Sequence, residues 1–178
     1  AIERLREGVE AGIDVAILAP TLASNNQPLA HSHYKKKRKP IVRTGARLFE
    51  LRADPSETVR DLADTDPVRS EIISLHSKAV VGDRARCFVG SLNLDPRALE
   101  INTESGLLID SETISNELLA TLRSIVLSDD AWEVLVSEKG RLEWKSYSGE
   151  LLTKEPKAPF GKRAISFVGG LLPIEGQL

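Results

Sequence analysis

His76-Ser77-Lys78-Ala79-Val80-Val81-Gly82-Asp83 has the form H-x-K-x4-D, and Gly90-Ser91-Leu92-Asn93 follows seven residues after the aspartate. Imidazole is the side chain best suited to move a proton, or to attack phosphorus, near neutral pH, and an ammonium beside it neutralises a phosphoryl oxygen. On a strand, His76 and Lys78 share a face, roughly 6.5–7 Å apart along the backbone, so one phosphate fits between them. Ser91 and Asn93, at i and i+2, add a hydroxyl and an amide that can donate to the same oxygens. Asp83 falls on the opposite phase of the alternation, which predicts that it holds the turn or pairs with a base. A lone strand histidine is usually structural. With 3 His, 10 Lys and 10 Asp in 178 residues, however, chance matches to H-x-K-x4-D number only roughly 0.01 per chain of this composition. The four polar groups therefore read as one anion-handling site.

The elements that must carry these residues follow from periodicity. Ile2, Leu5 and Val9 recur at helical spacing and predict a helix over about 2–11, stopped by Gly12. Ile13 to Ala19 is an apolar run between Gly12 and Pro20, short enough for a buried strand. A polar loop leads to a helix over 31–44, which Pro40 should kink or divide and Gly45 ends. Ala46 to Leu51 is a second strand, so strand, helix, strand make a βαβ unit with a parallel pair, and the fold class is α/β with a mixed sheet. Residues 53–71 are polar and predict a surface connection with a little helix. Ile72–Gly82 and Cys87–Gly90 form the hairpin that carries the motif, turned at Asp83-Arg84-Ala85-Arg86. Ser105–Ile109 is a further strand. Ile114, Leu118, Leu122 and Val126 lie on one face of a helix started by Asp110 or Ser111. Trp132, Val134 and Val136, then Leu142 and Trp144, alternate around Lys139-Gly140 as a second hairpin packed by its tryptophans.

Composition bounds the rest: 41% apolar and 28% charged residues describe an ordinary folded chain, not a disordered or fibrous one. A single cysteine, Cys87, excludes an intrachain disulfide and is expected buried in the return strand. No apolar run approaches the roughly 20 residues that span a bilayer. The net charge of -2 is unevenly spread: residues 1–53 hold 10 Lys/Arg against 5 Asp/Glu, five of the bases in Lys35-Lys36-Lys37-Arg38-Lys39. An anionic partner is expected to meet that run, either lipid headgroups or nucleic acid. The chain contains no methionine and opens directly on a helix, as a piece of something longer would.

At the motif residues the sequence resembles the phospholipase D superfamily, whose HKD motif is H-x-K-x4-D followed by a Gly-Ser-x-Asn element. Gly90-Ser91-Leu92-Asn93-Leu94-Asp95-Pro96-Arg97, then Asn102-Thr103-Glu104, resembles more narrowly the bacterial cardiolipin synthases. Ala30-His31-Ser32-His33-Tyr34 with Arg38-Lys39-Pro40, Gly45 to Glu50, and Leu171 to Leu178 extend the likeness over most of the chain. The resemblance implies a phospholipase D-like α-β-α sandwich, one domain over 1–178 with 145–178 as a C-terminal extension. It implies that two HKD motifs face each other in one site. One histidine attacks phosphorus to give a phosphohistidine, and the other protonates the leaving alcohol and activates the incoming one. No cofactor or metal is implied. His76 takes the general-acid part, Lys78, Ser91 and Asn93 hold phosphate, Arg97 contacts a headgroup or pairs with a carboxylate, and Glu104 orients the histidine ring. Asp83 belongs to the same motif.

Only one such motif is present, since neither His31 nor His33 is followed by a lysine at the required spacing. The chain is accordingly expected to be the second, C-terminal half of a two-motif phosphatidyltransferase, acting on phospholipid with an N-terminal HKD half. A cytoplasmic location at the periphery of the inner membrane goes with that reading. The first alternative is a short metal-independent nuclease whose homodimer builds the site from two copies of His76. The second is a non-catalytic module that binds anionic membranes. Ala164–Leu172 is expected to cap the core or dip into a membrane interface.

Overall fold

The computed structural model describes residues 2–25, 28–63, 72–93, 98, 101–157, 161 and 166. They form two compact units, one within residues 2–75 and 125–166, the other within residues 76–124. The mixed α/β class is as expected. Arg97, the Leu171–Leu178 segment and, apart from Ser166, the Ala164–Leu172 stretch lie outside the described residues.

The first unit is built on the βαβ element: α1 (Ile2–Glu10), β1 (Ala16–Pro20), α2 (Pro28–Val42) and β2 (Arg47–Leu51). Gly12 and Gly45 end the two helices with φ of 87° and 91°, a left-handed turn that glycine enters without a Cβ penalty. β1 pairs β2 in parallel, Ala16 opposite Arg47 through Pro20 opposite Leu51. After α3 (Glu57–Ala63), the return hairpin β6 (Ala131–Val136) and β7 (Leu142–Lys145), then the short β8 (Leu151–Leu152), complete a sheet in the order β1-β2-β6-β7-β8. β1 is an edge of that sheet, which explains why its residues are half-buried or exposed where the apolar run predicted a buried strand. α2 runs through Pro40 to Val42 and is not divided there. So near the helix end, proline removes only the bond to the carbonyl of exposed Lys36, which water can satisfy.

β2, an interior strand between β1 and β6, separates two apolar layers. Phe49 and Leu51 face Val59, Ile73, Ile125 and Ala131 on one side. Leu48 faces Trp132, Val134 and Trp144 on the other, with Ile41 and Val42 of α2 packed against them. Both tryptophans are buried hairpin residues, at 3% and 4% exposure.

The second unit holds a separate antiparallel sheet, β3 (Lys78–Gly82), β4 (Arg86–Gly90) and β5 (Gly106–Asp110), followed by α4 (Glu112–Val126). Ser111 caps α4, its Oγ accepting from the Ile114 amide at 3.4 Å, while Asp110 instead pairs with Arg86 at 2.5 Å. On α4 Ser115 and Ile125 are buried, Leu118, Leu122 and Val126 of the expected face are half-buried, and Ile114, expected inside, is 45% exposed. Cys87 is buried at 1% in β4.

Candidate active site

The strand carrying the motif is shorter than its apolar sequence predicts. Ile73 donates its amide to the Ala53 carbonyl at 3.1 Å and Leu75 donates to Ser24 at 3.3 Å, so residues 73–75 spend their backbone on loops of the first unit. β3 pairs with β4 only from Lys78 onward, and His76, the first residue of the second unit, stands exposed two residues ahead of it. Strand alternation therefore does not set His76 beside Lys78. The Lys78 ammonium turns back instead and donates to the His76 carbonyl at 2.7 Å. Among the described residues no hydrogen bond reaches the His76 ring.

Register gathers the other groups. Lys78 pairs with Gly90 and Gly90 with Gly106, so the start of β3, the end of β4 and the start of β5 form one edge of the sheet. Ser91 follows Gly90, and Glu104 lies two residues before Gly106. The Ser91 and Ser105 backbones continue the ladder by an N–H···O bond of 2.8 Å. Ser91 Oγ donates to Glu104 Oε2 at 2.5 Å and accepts from the Ser105 amide at 3.0 Å. Asn102 Nδ2 donates to the other carboxylate oxygen of Glu104 at 3.3 Å. Glu104 is thus held by Ser91 and Asn102, and no bond to His76 is formed. Ser91 uses its only hydroxyl hydrogen on that carboxylate, so it can donate to a phosphate only by letting Glu104 go. Asn93 is exposed just beyond this edge.

The edge has no room for side chains at its two glycines. A Cβ on Gly106 would run into the Phe88 ring, and one on Gly90 into the Ser105 carbonyl and the Gly106 Cα. Phe88 lies across both glycines and lets β4 and β5 meet closely where Ser91 and Glu104 emerge. Gly106 is a site-shaping residue that the sequence did not single out, and Asn102, quoted there only within the Asn102-Thr103-Glu104 string, gains its role from its bond to Glu104.

Asp83 is not part of this edge. The Ala85 amide donates to the Gly82 carbonyl at 3.1 Å, and Asp83 and Arg84 have φ of 50° and 59°. That is the left-handed pair of a type I′ turn, with aspartate among the residues that tolerate it. The turn lies five residues along β3 from Lys78, about 16 Å at strand rise, so Asp83 cannot share a phosphate with Lys78.

A second polar cluster lies inside the first unit and accounts for residues the sequence left unexplained. Arg38, the fourth base of the run expected to meet anions, is 1% exposed and faces the sheet. Its Nε and Nη2 donate to the Glu50 carboxylate at 2.6 and 3.1 Å, and Nη2 also reaches Glu155 Oε1 at 2.7 Å. Glu50 further accepts from Tyr34 at 2.7 Å and from Trp144 Nε1 at 2.9 Å. His31 is wholly buried, its Nε2 3.0 Å from Arg38 and 3.1 Å from Glu155. Burial and the Glu50 charge raise the Tyr34 hydroxyl well above its ordinary value, so it stays a donor. Burial lowers Arg38, but Glu50 and Glu155 outweigh it and hold the guanidinium charged. The sequence signals for this cluster were Glu50 within the Ala46–Leu51 strand and the His31, Tyr34 and Arg38 positions that share in the family likeness.

Glu155 ties the segment after β8 to this cluster, with Pro156 buried beside it and Lys157 paired to Asp54. Burial pushes its carboxyl up, yet the bond with His31 and the Arg38 charge bring it down to about 2 from 4.5. A depressed carboxylate contributes stability that is complete above its unfolded value and lost as pH falls through its folded one. Acid unfolding of the first unit is therefore expected to deepen between pH 4.5 and about 2. Glu155→Gln should flatten that window in near-UV circular dichroism, whose tryptophan signal comes wholly from this unit. Superimposable profiles for the two proteins would refute the assignment.

Comparison with known proteins covers both units. Residues 1–126 match the family described as "Cardiolipin synthase, PLD-like domain". Cardiolipin synthase C of Escherichia coli (strain K12) is 34% identical over 99% of this chain and 38% of its own length. An uncharacterised protein of Helicobacter pylori (strain J99) is 29% identical over 85% of the chain and 28% of its own length. Cardiolipin synthase A of Proteus mirabilis is 29% identical over 68% of the chain and 22% of its own length. The chain thus spans well under half of these relatives. No solved structure matches. The family match runs unbroken through the motif hairpin and on to the end of α4, and the chain belongs to the phospholipase D-like family of the cardiolipin synthases.

Proposed function

We propose that this chain supplies one HKD motif of a phosphatidyltransferase that joins phospholipids through a phosphohistidine intermediate. The observation that carries this reading is the gathering of Lys78, Ser91 and Glu104 at one sheet edge, with an exposed His76 entering the same strand. The histidine of an opposing HKD motif attacks phosphorus. The bond from phosphorus to the donor's headgroup oxygen breaks, and that oxygen takes the proton of His76. His76, now neutral, removes the proton from the hydroxyl of an acceptor lipid. The acceptor oxygen then displaces the first histidine from phosphorus, leaving a new phosphodiester and both histidines as they began. Lys78 offsets charge on the equatorial oxygens, and Asn93 donates to them. Glu104, gripped by Ser91 and Asn102, holds the Ser91 end of the sheet edge in place beside Lys78 and Gly90. Water in place of the acceptor turns the same sequence into hydrolysis.

The test uses the complete protein with mixed vesicles of phosphatidylglycerol and phosphatidylethanolamine, in chelator, read by mass spectrometry. A lipid with two phosphatidyl groups and release of free headgroup alcohol are expected. Cleavage of single-stranded DNA under the same conditions, with the lipids untouched, would overturn the phospholipid reading and favour the nuclease.

A further inference from the structure

The basic run on α2 is divided by the fold. At about 100° per residue, Tyr34, Arg38, Ile41 and Val42 cluster on one arc of the helix. That arc faces the sheet, since Arg38 reaches Glu50 and Ile41 and Val42 pack on the tryptophan layer. Lys35, Lys36, Lys37 and Lys39 fall on the remaining arc, the first three exposed and Lys39 half-buried. Arg43 follows directly, exposed and still on the helical path, because its amide donates to the Lys39 carbonyl at 3.0 Å. Among the described residues none of these five cations pairs with a carboxylate. Of the three acids of neighbouring α1, Glu7 is paired with Arg4 and Glu3 with Arg6 inside the helix, and exposed Glu10 forms no ion pair with these cations. Five like charges in nine residues, within about 12 Å of helix, repel one another, and an anionic surface relieves that repulsion.

We infer that the outer arc of α2, formed by Lys35, Lys36, Lys37, Lys39 and Arg43, is a docking surface for anionic phospholipid bilayers. Charge complementarity requires a dense anionic partner, and the choice of lipid over nucleic acid rests on the phosphatidyltransferase reading above. Arg38 takes no part, because its charge is already spent on Glu50 and Glu155. Each base near a charged bilayer strengthens binding on the order of fivefold, an attraction that salt screens within a Debye length of about 10 Å at 0.1 M.

The experiment is vesicle co-sedimentation of the complete protein, comparing phosphatidylglycerol-rich with pure phosphatidylcholine vesicles. Lys35→Ala/Lys36→Ala/Lys39→Ala is expected to weaken binding to the anionic vesicles on the order of a hundredfold, and wild-type binding to fall steeply with salt. The control Lys139→Ala/Arg141→Ala/Lys145→Ala removes three bases from the β6–β7 hairpin and should bind as wild type. Equal losses in both triple variants, unchanged binding of the first, or equal binding to neutral vesicles would overturn the proposal. Lysine-dependent binding of a DNA duplex without vesicle binding would overturn it in favour of nucleic acid. Turnover of a soluble short-chain phospholipid should be unaffected in the α2 variant. His76→Ala should bind vesicles as wild type, so a failure of the proposed chemistry shows in turnover alone and a failure of the docking surface in sedimentation alone.

Discussion

His76→Ala in the complete enzyme is expected to lower phosphatidyl transfer by about 10²–10⁴-fold, the range that a positioned general acid contributes. Without a proton donor the headgroup must depart as an alkoxide, so the loss should fall on kcat and leave KM little changed. A donor with a p-nitrophenyl headgroup departs without a proton. With it, the variant should still release a burst of nitrophenol as the phosphohistidine forms, and should stall only at acceptor activation. Loss of the burst as well would make His76 the nucleophile, and wild-type turnover would remove the hairpin from the chemistry. Because His76 is exposed and its ring makes no described bond, the substitution should leave stability within about 0.5 kcal/mol of wild type. A fall in activity can then be read as chemistry.

Glu50→Ala is expected to be the most damaging single change to the first unit, costing about 3–5 kcal/mol in urea unfolding. Its carboxylate accepts four bonds, two from Arg38 and one each from Tyr34 and Trp144. Truncation leaves the Arg38 guanidinium with Glu155 as its one carboxylate and leaves the Tyr34 and Trp144 donors without their acceptor, and buried donors that lose their partners cost their full desolvation. A Glu50→Ala cost below about 1 kcal/mol, the size of a surface pair, would show that the cluster is not a structural centre.

Local pattern made much of this chain readable. The H-x-K-x4-D string, the βαβ unit around β1, α2 and β2, the tryptophan hairpin and the glycine stops all depend on neighbours a few residues apart, where periodicity and backbone preference act. Even the turn at Asp83 was legible, because it is a property of consecutive residues. β8, only two residues long, carried no periodic signal at all.

What tertiary structure decided is where long-range partners compete for the same groups. Ile73 and Leu75 look like strand residues, yet loops of the first unit take their amides, so β3 starts at Lys78 and His76 precedes it. Glu104 could face His76 or Ser91, and the β4–β5 register, permitted by two glycines under Phe88, gave it to Ser91. Within Lys35-Lys36-Lys37-Arg38-Lys39 every residue is a base by sequence, and only the angle at which α2 lies on the sheet turns Arg38 inward to Glu50 while the lysines stay in water. Composition and spacing determine which charges a chain owns. Burial, which depends on partners a hundred residues away such as Glu155, determines which of those charges hold the fold together and which remain to meet something else.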